Sequence, residues 1–298
     1  MKDRLVFGDG FVDADLPDDI LEVGSGVTLD VNPVQDLEAE IDNALTSPID
    51  LPPLKQMVRP GSRVLIAFDD ATVPCYLPLW PVALRKIITT LEAGGVQRED
   101  ITLICANALH RQFTHQELAS LIGDDLVREF GERLLCHDAE DAEGMVDLGI
   151  TPSGYHVDLN RRVVDSDLTV YLNCSTTRGF SGGWKSICVG LSSYRSIAHH
   201  HTPEIMSMSL DRNEMHRMLD EMGTLTLDKL GDKKFFKIET VLANPLQVAR
   251  IFGGSVDGCR KAAVELNRSN MTNRRDLLEE KVDTVLYGVP DWSPYAAY

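Results

Sequence analysis

Two hydrophobic periods exchange along this chain, and that exchange narrows the fold more than any other feature. Arg63-Val64-Leu65-Ile66-Ala67-Phe68 is a short apolar run that ends at Asp69 and Asp70. A run of that length bounded by polar residues reads as a strand buried on both faces. Leu77 to Ala93 then carries apolar residues at helical spacing and stops at Gly94-Gly95, a terminating pair. Ile101 to Ala106 reads as a second strand, and Thr114 opens a helix with Glu117 at the capping-box position. Asp167 to Asn173 reads as a third strand, and Ser186 to Ala198 as helix or loop of mixed type. Phe236 to Leu242 alternates as a half-exposed strand, Ser255 to Leu266 is a helix, and Thr284 to Tyr287 is a last strand. The expectation is an α/β fold: a mostly parallel or mixed sheet with helices on both faces. Such sheets bind ligands beyond the C-terminal ends of their strands. Asp69, His110 and Ser175 all fall just past such ends.

The first 60 residues read as a strand meander with Pro-rich connections such as Leu51-Pro52-Pro53. Asn267 to Lys281 is polar and charged and reads as a hinge or helix. The organisation expected is a cofactor-binding α/β domain over residues 1–270, then a hinge and the first strand of a truncated second domain over 271–298. A net charge of −17 disfavours nucleic acid and anionic membrane surfaces as partners. No segment approaches the run of about 18 apolar residues that a membrane span needs, and Met1-Lys2-Asp3-Arg4 opens no signal peptide. The six cysteines are scattered with no C-x-x-C pair, which fits a reducing, cytoplasmic compartment.

Chemistry concentrates in Gly179-Phe180-Ser181-Gly182-Gly183-Trp184-Lys185-Ser186, with His199-His200-His201 shortly after. Glycines allow successive N–H groups to converge on an anion. A desolvated lysine can form a covalent bond, and imidazoles bind borderline metals. The run is not a P-loop, because Trp184 occupies the position where a glycine must precede the lysine. A tight turn with a solvated lysine is the bland alternative. Three consecutive histidines cannot all face one metal, so at most one or two are ligands, and the rest of any ligand set comes from elsewhere. His110 taken alone reads as a core histidine. One of Asp69 and Asp70 reads as a turn cap, the other as a group that orients His110 or holds a ribose, and Thr72 as a cap or phosphate donor. His115, His137, His156 and His216 read as solvated or structural.

In order along the chain, Asp69-Asp70-Ala71-Thr72-Val73-Pro74, Leu109-His110-Arg111, His137-Asp138, Gly179 to Lys185, Val189-Gly190, Tyr194, Ser196-Ile197, His200-His201, Phe252-Gly253-Gly254 and Ser293-Pro294-Tyr295 resemble the motifs of the lactate racemase family. The resemblance runs from about residue 60 to the end of the chain. It implies a Rossmann-like N-terminal domain and a nickel-pincer nucleotide, a pyridinium mononucleotide with thioamide and thiocarboxylate arms. It implies that Lys185 holds that cofactor covalently and that His201, with His200 beside it, is the protein's ligand to nickel. Asp69, Asp70, Thr72, Ser181, Gly182, Gly183 and Ser293 become cofactor-binding residues, and His110, Lys185 and Arg111 catalytic ones. The implied reaction is racemisation or epimerisation of a 2-hydroxy acid by proton-coupled hydride transfer. Cofactor-synthesis proteins are implied as partners, and a homo-oligomer is allowed. Two positions depart from the pattern. Ser175 stands where the family has its second acid/base histidine, and Val73 where it has an arginine. Those departures, and an end just after the Ser-Pro-Tyr segment, leave a second expectation open: a non-catalytic relative that binds the nucleotide or an anion.

Overall fold

The computed structural model describes residues 2–8, 10–17, 31–73, 78–175, 182–207, 209, 211–231, 234–244, 247–270 and 289–290. It opens with a hairpin of β1 (Lys2–Gly8) and β2 (Gly10–Asp15), followed by helix α1 (Leu37–Thr46). Next come β3 (Val64–Asp69), α2 (Leu79–Ala93), β4 (Ile101–Ala106), α3 (His115–Ile122), α4 (Asp124–Phe130) and β5 (Leu134–Cys136). A second hairpin, β6 (Met145–Ile150) with β7 (His156–Asn160), leads through α5 (Arg161–Asp165) into β8 (Leu168–Ser175). The short helices α6 (Trp184–Cys188) and α7 (Tyr194–Ala198) precede the long α8 (Glu214–Leu230). The chain then forms β9 (Phe235–Asn244), β10 (Gln247–Gly254) and α9 (Val256–Asn270), and β11 (Val289–Pro290) pairs parallel with β1.

The expected α/β architecture is present. Six strands form one sheet in the order β10-β9-β8-β3-β4-β5, parallel throughout except for the β9–β10 hairpin. The apolar run from Val64 is buried along its whole length, as a strand covered on both faces must be. Because side chains alternate across a strand, Val64, Ile66 and Phe68 enter a core with α1, α2 and α3. Leu65 and Ala67 enter the opposite core with Trp184, Ile187 and the methionines of α8. The capping box expected at α3 forms: Thr114 Oγ1 accepts from the Glu117 N–H, and Glu117 accepts from the Thr114 N–H, a device of about 1 kcal/mol.

Three expectations change. Among the described residues of the first 60, β1 and β2 form a hairpin and Leu37–Thr46 is helix α1, where a strand meander was expected. The mixed segment after Lys185 is two short helices. Most consequential, β9 is not half-exposed, because Lys237 and Glu239 on its polar face are 0 % exposed. Alternation there marks a buried polar face, since α6 and α9 pack over it. Phe252-Gly253-Gly254 ends β10 against Ile49. Thr284 to Tyr287 lies outside the described residues. Among those described, no helix is long and apolar enough to cross a membrane.

Candidate functional site

The sheet grows from its middle in two directions. From β3 the chain steps through β4 to β5, and from β8 it steps the other way through β9 to β10. Loops therefore part at the β3–β8 seam, the switch point at which open α/β sheets bind ligands. The C-terminal ends of both strands carry the polar residues singled out from sequence.

On the β3 side, Asp70 is 2 % exposed and does two jobs. Its Oδ1 accepts from the Thr72 N–H at 2.9 Å and from Thr72 Oγ1 at 2.6 Å, closing the turn. Its Oδ2 stands 2.7 Å from His110 Nδ1. That bond assigns the proton to Nδ1 and leaves Nε2 as the basic nitrogen. The loop that delivers His110 is tied down by Asn107, whose buried amide donates to the His110 carbonyl at 2.9 Å. Ala108 sits at φ 49° and donates its N–H to the Gly190 carbonyl at 3.2 Å. A non-glycine residue held there costs about 1 kcal/mol or more. Asp69 is the other carboxylate, and it points into the sheet. Tyr171 Oη, Asn173 Nδ2 and the Cys174 N–H all donate to it at 2.9–3.0 Å. Burial raises its pKa above the usual carboxylate value, against Lys237 and those donors.

Across the seam, Gly182 and Gly183 adopt φ of 82° and 54° and lead into α6. The consecutive N–H groups expected to converge on an external anion do not do so at Gly183. Its N–H donates at 3.0 Å to Glu239, the chain's own carboxylate. Lys185 follows, and burial lowers its pKa to about 8; Asp69 opposes that shift and Arg260 adds to it. Gly190 carries the helix end across β8 and β4, where a Cβ would stand 2.6 Å from Tyr171 Oη.

The three histidines diverge. His199 Nε2 accepts from the His156 N–H at 3.2 Å and faces β7. His200 is wholly buried, with Nδ1 3.0 Å from His201 Nδ1. His201 Nδ1 also lies 3.3 Å from the Ile197 carbonyl, so that nitrogen carries the proton and His201 Nε2 holds a lone pair. His200 is then the tautomer protonated on Nε2, a buried atom with no hydrogen-bond partner. Burial lowers the pKa of His200 to about 3 and depresses that of His201, and the Lys185 charge acts on both rings. His110 acts on His201 as well. Lys185, His110, His200 and His201 thus share one electrostatic neighbourhood. Among the described residues no group of three His, Cys, Asp or Glu side chains could hold a metal by itself.

Arg111 takes another direction. Its guanidinium grips Glu117 with both nitrogens, at 2.6 and 3.1 Å, and lies over the Phe113 ring. That pairing holds the Glu117 carboxyl down at about 2. Ser181 and Ser293 lie outside the described residues. Sequence reasoning passed over Asn107, Lys237 and Glu239. Ser175 Oγ donates to Glu239 Oε1 at 2.7 Å and is itself 0 % exposed. Beside the glycine turn a cleft of about 920 Å³ opens between α8 and α9, lined by Gly182, Gly183, Trp184, His216 and Arg260 among others. Its size suits a nucleotide-sized ligand, but its lining includes none of Lys185, His110, His200 and His201. A covalently attached, metal-bearing nucleotide needs a reactive amine and an imidazole with a free lone pair. Lys185 and His201 Nε2 meet those two needs, and the orphaned His200 Nε2 marks a polar position short of a partner.

A family model described as the lactate racemase N-terminal domain matches residues 7–212. The lactate racemase of Lactiplantibacillus plantarum is 26% identical over 234 residues, 76% of this chain and 52% of that protein. The lactate racemase of Thermoanaerobacterium thermosaccharolyticum is 30% identical over 188 residues, 59% of this chain and 42% of that protein. This chain therefore spans about half the length of the curated relatives it matches. In fold it is similar to the lactate racemase apoprotein structure from Thermoanaerobacterium thermosaccharolyticum, with a TM-score of 0.65 at 24% identity over 89% of this chain and 61% of that one. A Thermotoga maritima protein of solved structure has a TM-score of 0.61 at 16% identity, over 78% and 59% of the two chains. With the family model covering well over half of its residues, this chain belongs to the lactate racemase N-terminal domain family.

Proposed function

We propose that this chain is the cofactor-holding part of a racemase or epimerase of 2-hydroxy acids that works with a nickel-pincer nucleotide. The observation that carries the reading is that an aspartate-held imidazole, His110, and a lysine of lowered pKa, Lys185, both act electrostatically on His201, whose Nε2 holds a lone pair. Lys185 would hold the nucleotide, and His201 would ligate its nickel. When bound, the group supplies the acceptor and donor of hydride. The chain's own part is proton transfer and orientation. His110 Nε2 takes the hydroxyl proton of the substrate, and Asp70 stabilises the imidazolium and keeps the ring turned to its task. A cytoplasmic location and cofactor-synthesis proteins as partners belong to the same reading.

Co-expression with cofactor-synthesis proteins, followed by intact mass and metal analysis, tests it. We expect added mass on the wild type, none on Lys185→Ala, and retained mass with lost nickel on His201→Ala. A wild-type chain with neither adduct nor nickel would sink the proposal.

Ser175 favours a second reading, a cofactor-binding relative without turnover. Its hydroxyl is buried and directed at Glu239, so it offers no second base to a substrate. Chiral separation of a panel of 2-hydroxy acids incubated with the loaded protein decides between the two. Turnover of any of them rejects the binding-only reading.

A further inference from the structure

Two buried charged side chains on β9 have no part in the chemistry above. Lys237 and Glu239 lie two positions apart on one face of the strand, beneath α6, and both are 0 % exposed. Each reaches a different residue of the lysine turn. Glu239 Oε2 accepts from the Gly183 N–H at 3.0 Å, while Oε1 accepts from Ser175 Oγ at 2.7 Å. Lys237 Nζ donates to Ser186 Oγ at 2.6 Å. The two anchored residues, Gly183 and Ser186, bracket Lys185. The spacing suits the purpose: alternate strand residues are about 6.6 Å apart, and the first turn of a helix advances about 1.5 Å per residue. Two arms from one strand face can therefore hold both ends of that turn.

The clamp also explains the glycines. A Cβ at Gly182 would stand 2.3 Å from Glu239 Oε1, and one at Gly183 would stand 2.9 Å from Arg260 Cγ. Arg260 reaches from α9 to Glu239 at 3.4 Å. Lys237 lies 4.1 Å over the Tyr171 ring, whose hydroxyl donates to Asp69. Positive and negative groups so alternate beneath the turn. As a device for stability alone this is a poor choice, because burying charges costs about as much as their attraction returns. Its value lies in where it points.

We propose that Lys237 and Glu239 are positioning residues for Lys185, clamping the turn on both sides of it and setting the charge around its amine. The proposal rests on Lys185 as the attachment lysine, and the clamp itself is testable without cofactor. The charged and titratable groups around the turn are Asp69 from β3, Tyr171 from β8, Lys237 and Glu239 from β9, Asp257, Cys259 and Arg260 from α9, Cys188 on α6 itself, and His200 and His201 after α7. Of these, Asp69 raises and Arg260 lowers the pKa of the Lys185 amine, and Glu239 stands against Arg260 at 3.4 Å.

The experiment is competitive acetylation of the cofactor-free chain with acetic anhydride across about pH 5 to 10, with the Lys185 peptide quantified by mass spectrometry. Glu239→Gln should move the Lys185 profile to lower pH, raising its labelling about tenfold near pH 6 for each unit moved. Lys237→Met should move it to higher pH, lowering labelling near pH 7 by about tenfold per unit. Burial lowers the pKa of Lys237 itself to about 8, so Lys237→Arg, which stays charged throughout, should leave the Lys185 profile at or below its wild-type pH and never above it. Opposite shifts are the signature of the clamp. Shifts in the same direction, toward an exposed lysine, would mean a turn that merely opens, and no shift would mean no coupling; either overturns the proposal. If Lys237→Met does not fold by circular dichroism, Lys237→Gln is judged by the same outcomes. Absence of the adduct in the wild type would remove the functional reading and leave the clamp standing. A wild-type adduct with unmoved profiles in the variants would do the reverse.

Discussion

The bond from His110 Nδ1 to Asp70 makes Nε2 the basic nitrogen of that imidazole. If His110 is the base for one enantiomer, His110→Asn should lower deprotonation of that enantiomer by about 10²-fold or more, the usual scale for a lost general base. Chiral assay of the cofactor-loaded protein measures it, and equal, fast turnover of both enantiomers by the variant would move the base elsewhere. Asp70→Asn should weaken the same direction, because an amide no longer stabilises the imidazolium, and it should slacken the turn to Thr72. His110, Asp70 and Lys185 were legible as candidates because each lies just past a strand end or a glycine turn, and His201 because it closes a run of three histidines. Lys237 and Glu239 were not. A polar stripe at period two looks the same whether it faces water or a buried turn, and only the packing of α6 over β9 tells them apart.

Among the elements, α8 carries a titration of its own. His216 occupies the third position of its capping box, donating its backbone N–H to Asn213 and accepting at Nδ1 from the Asn213 N–H. Burial first, then repulsion from Arg260, lowers its pKa to about 4. The unfolded chain binds the proton at its ordinary value, so between about pH 6.5 and 4 it holds more protons than the folded chain, and stability falls as pH falls through that window. Buried His137 is depressed in the same sense, chiefly by burial. His216→Gln keeps an acceptor of the kind such boxes use and cannot titrate. Its melting temperature should therefore fall less steeply between those pH values than that of the wild type; an identical slope would place the acid sensitivity on other groups. β3, β4 and α3 were readable because burial on both faces and a capping box leave plain local signatures. α8 was missed although Met215, Met218, Leu219 and Met222 lie on its buried face. β5 spans only Leu134–Cys136, too short for a period to register.

For the molecule as a whole, a formal charge of −17 sets up long-range self-repulsion that salt screens. Raising salt from low to about physiological strength should increase the melting temperature, by about 2–4 °C for each kcal/mol of repulsion removed. A melting temperature that does not rise would mean that the surface ion pairs, such as Lys86 with Glu38 and Asp42, lose as much as repulsion gives back. The parallel sheet was legible from the alternation of elements, whereas its order was not, because nothing local says which strand lies beside β3. That order has a consequence for a chain being synthesised. Asn173 reaches back across 104 residues to Asp69. At about 5–20 residues per second, the end of β3 leaves the ribosome roughly 5–20 s before the donors that will receive its carboxylate. Through that interval Asp69 has only water to solvate it, and a nascent chain arrested short of β8 titrates there as an ordinary aspartate.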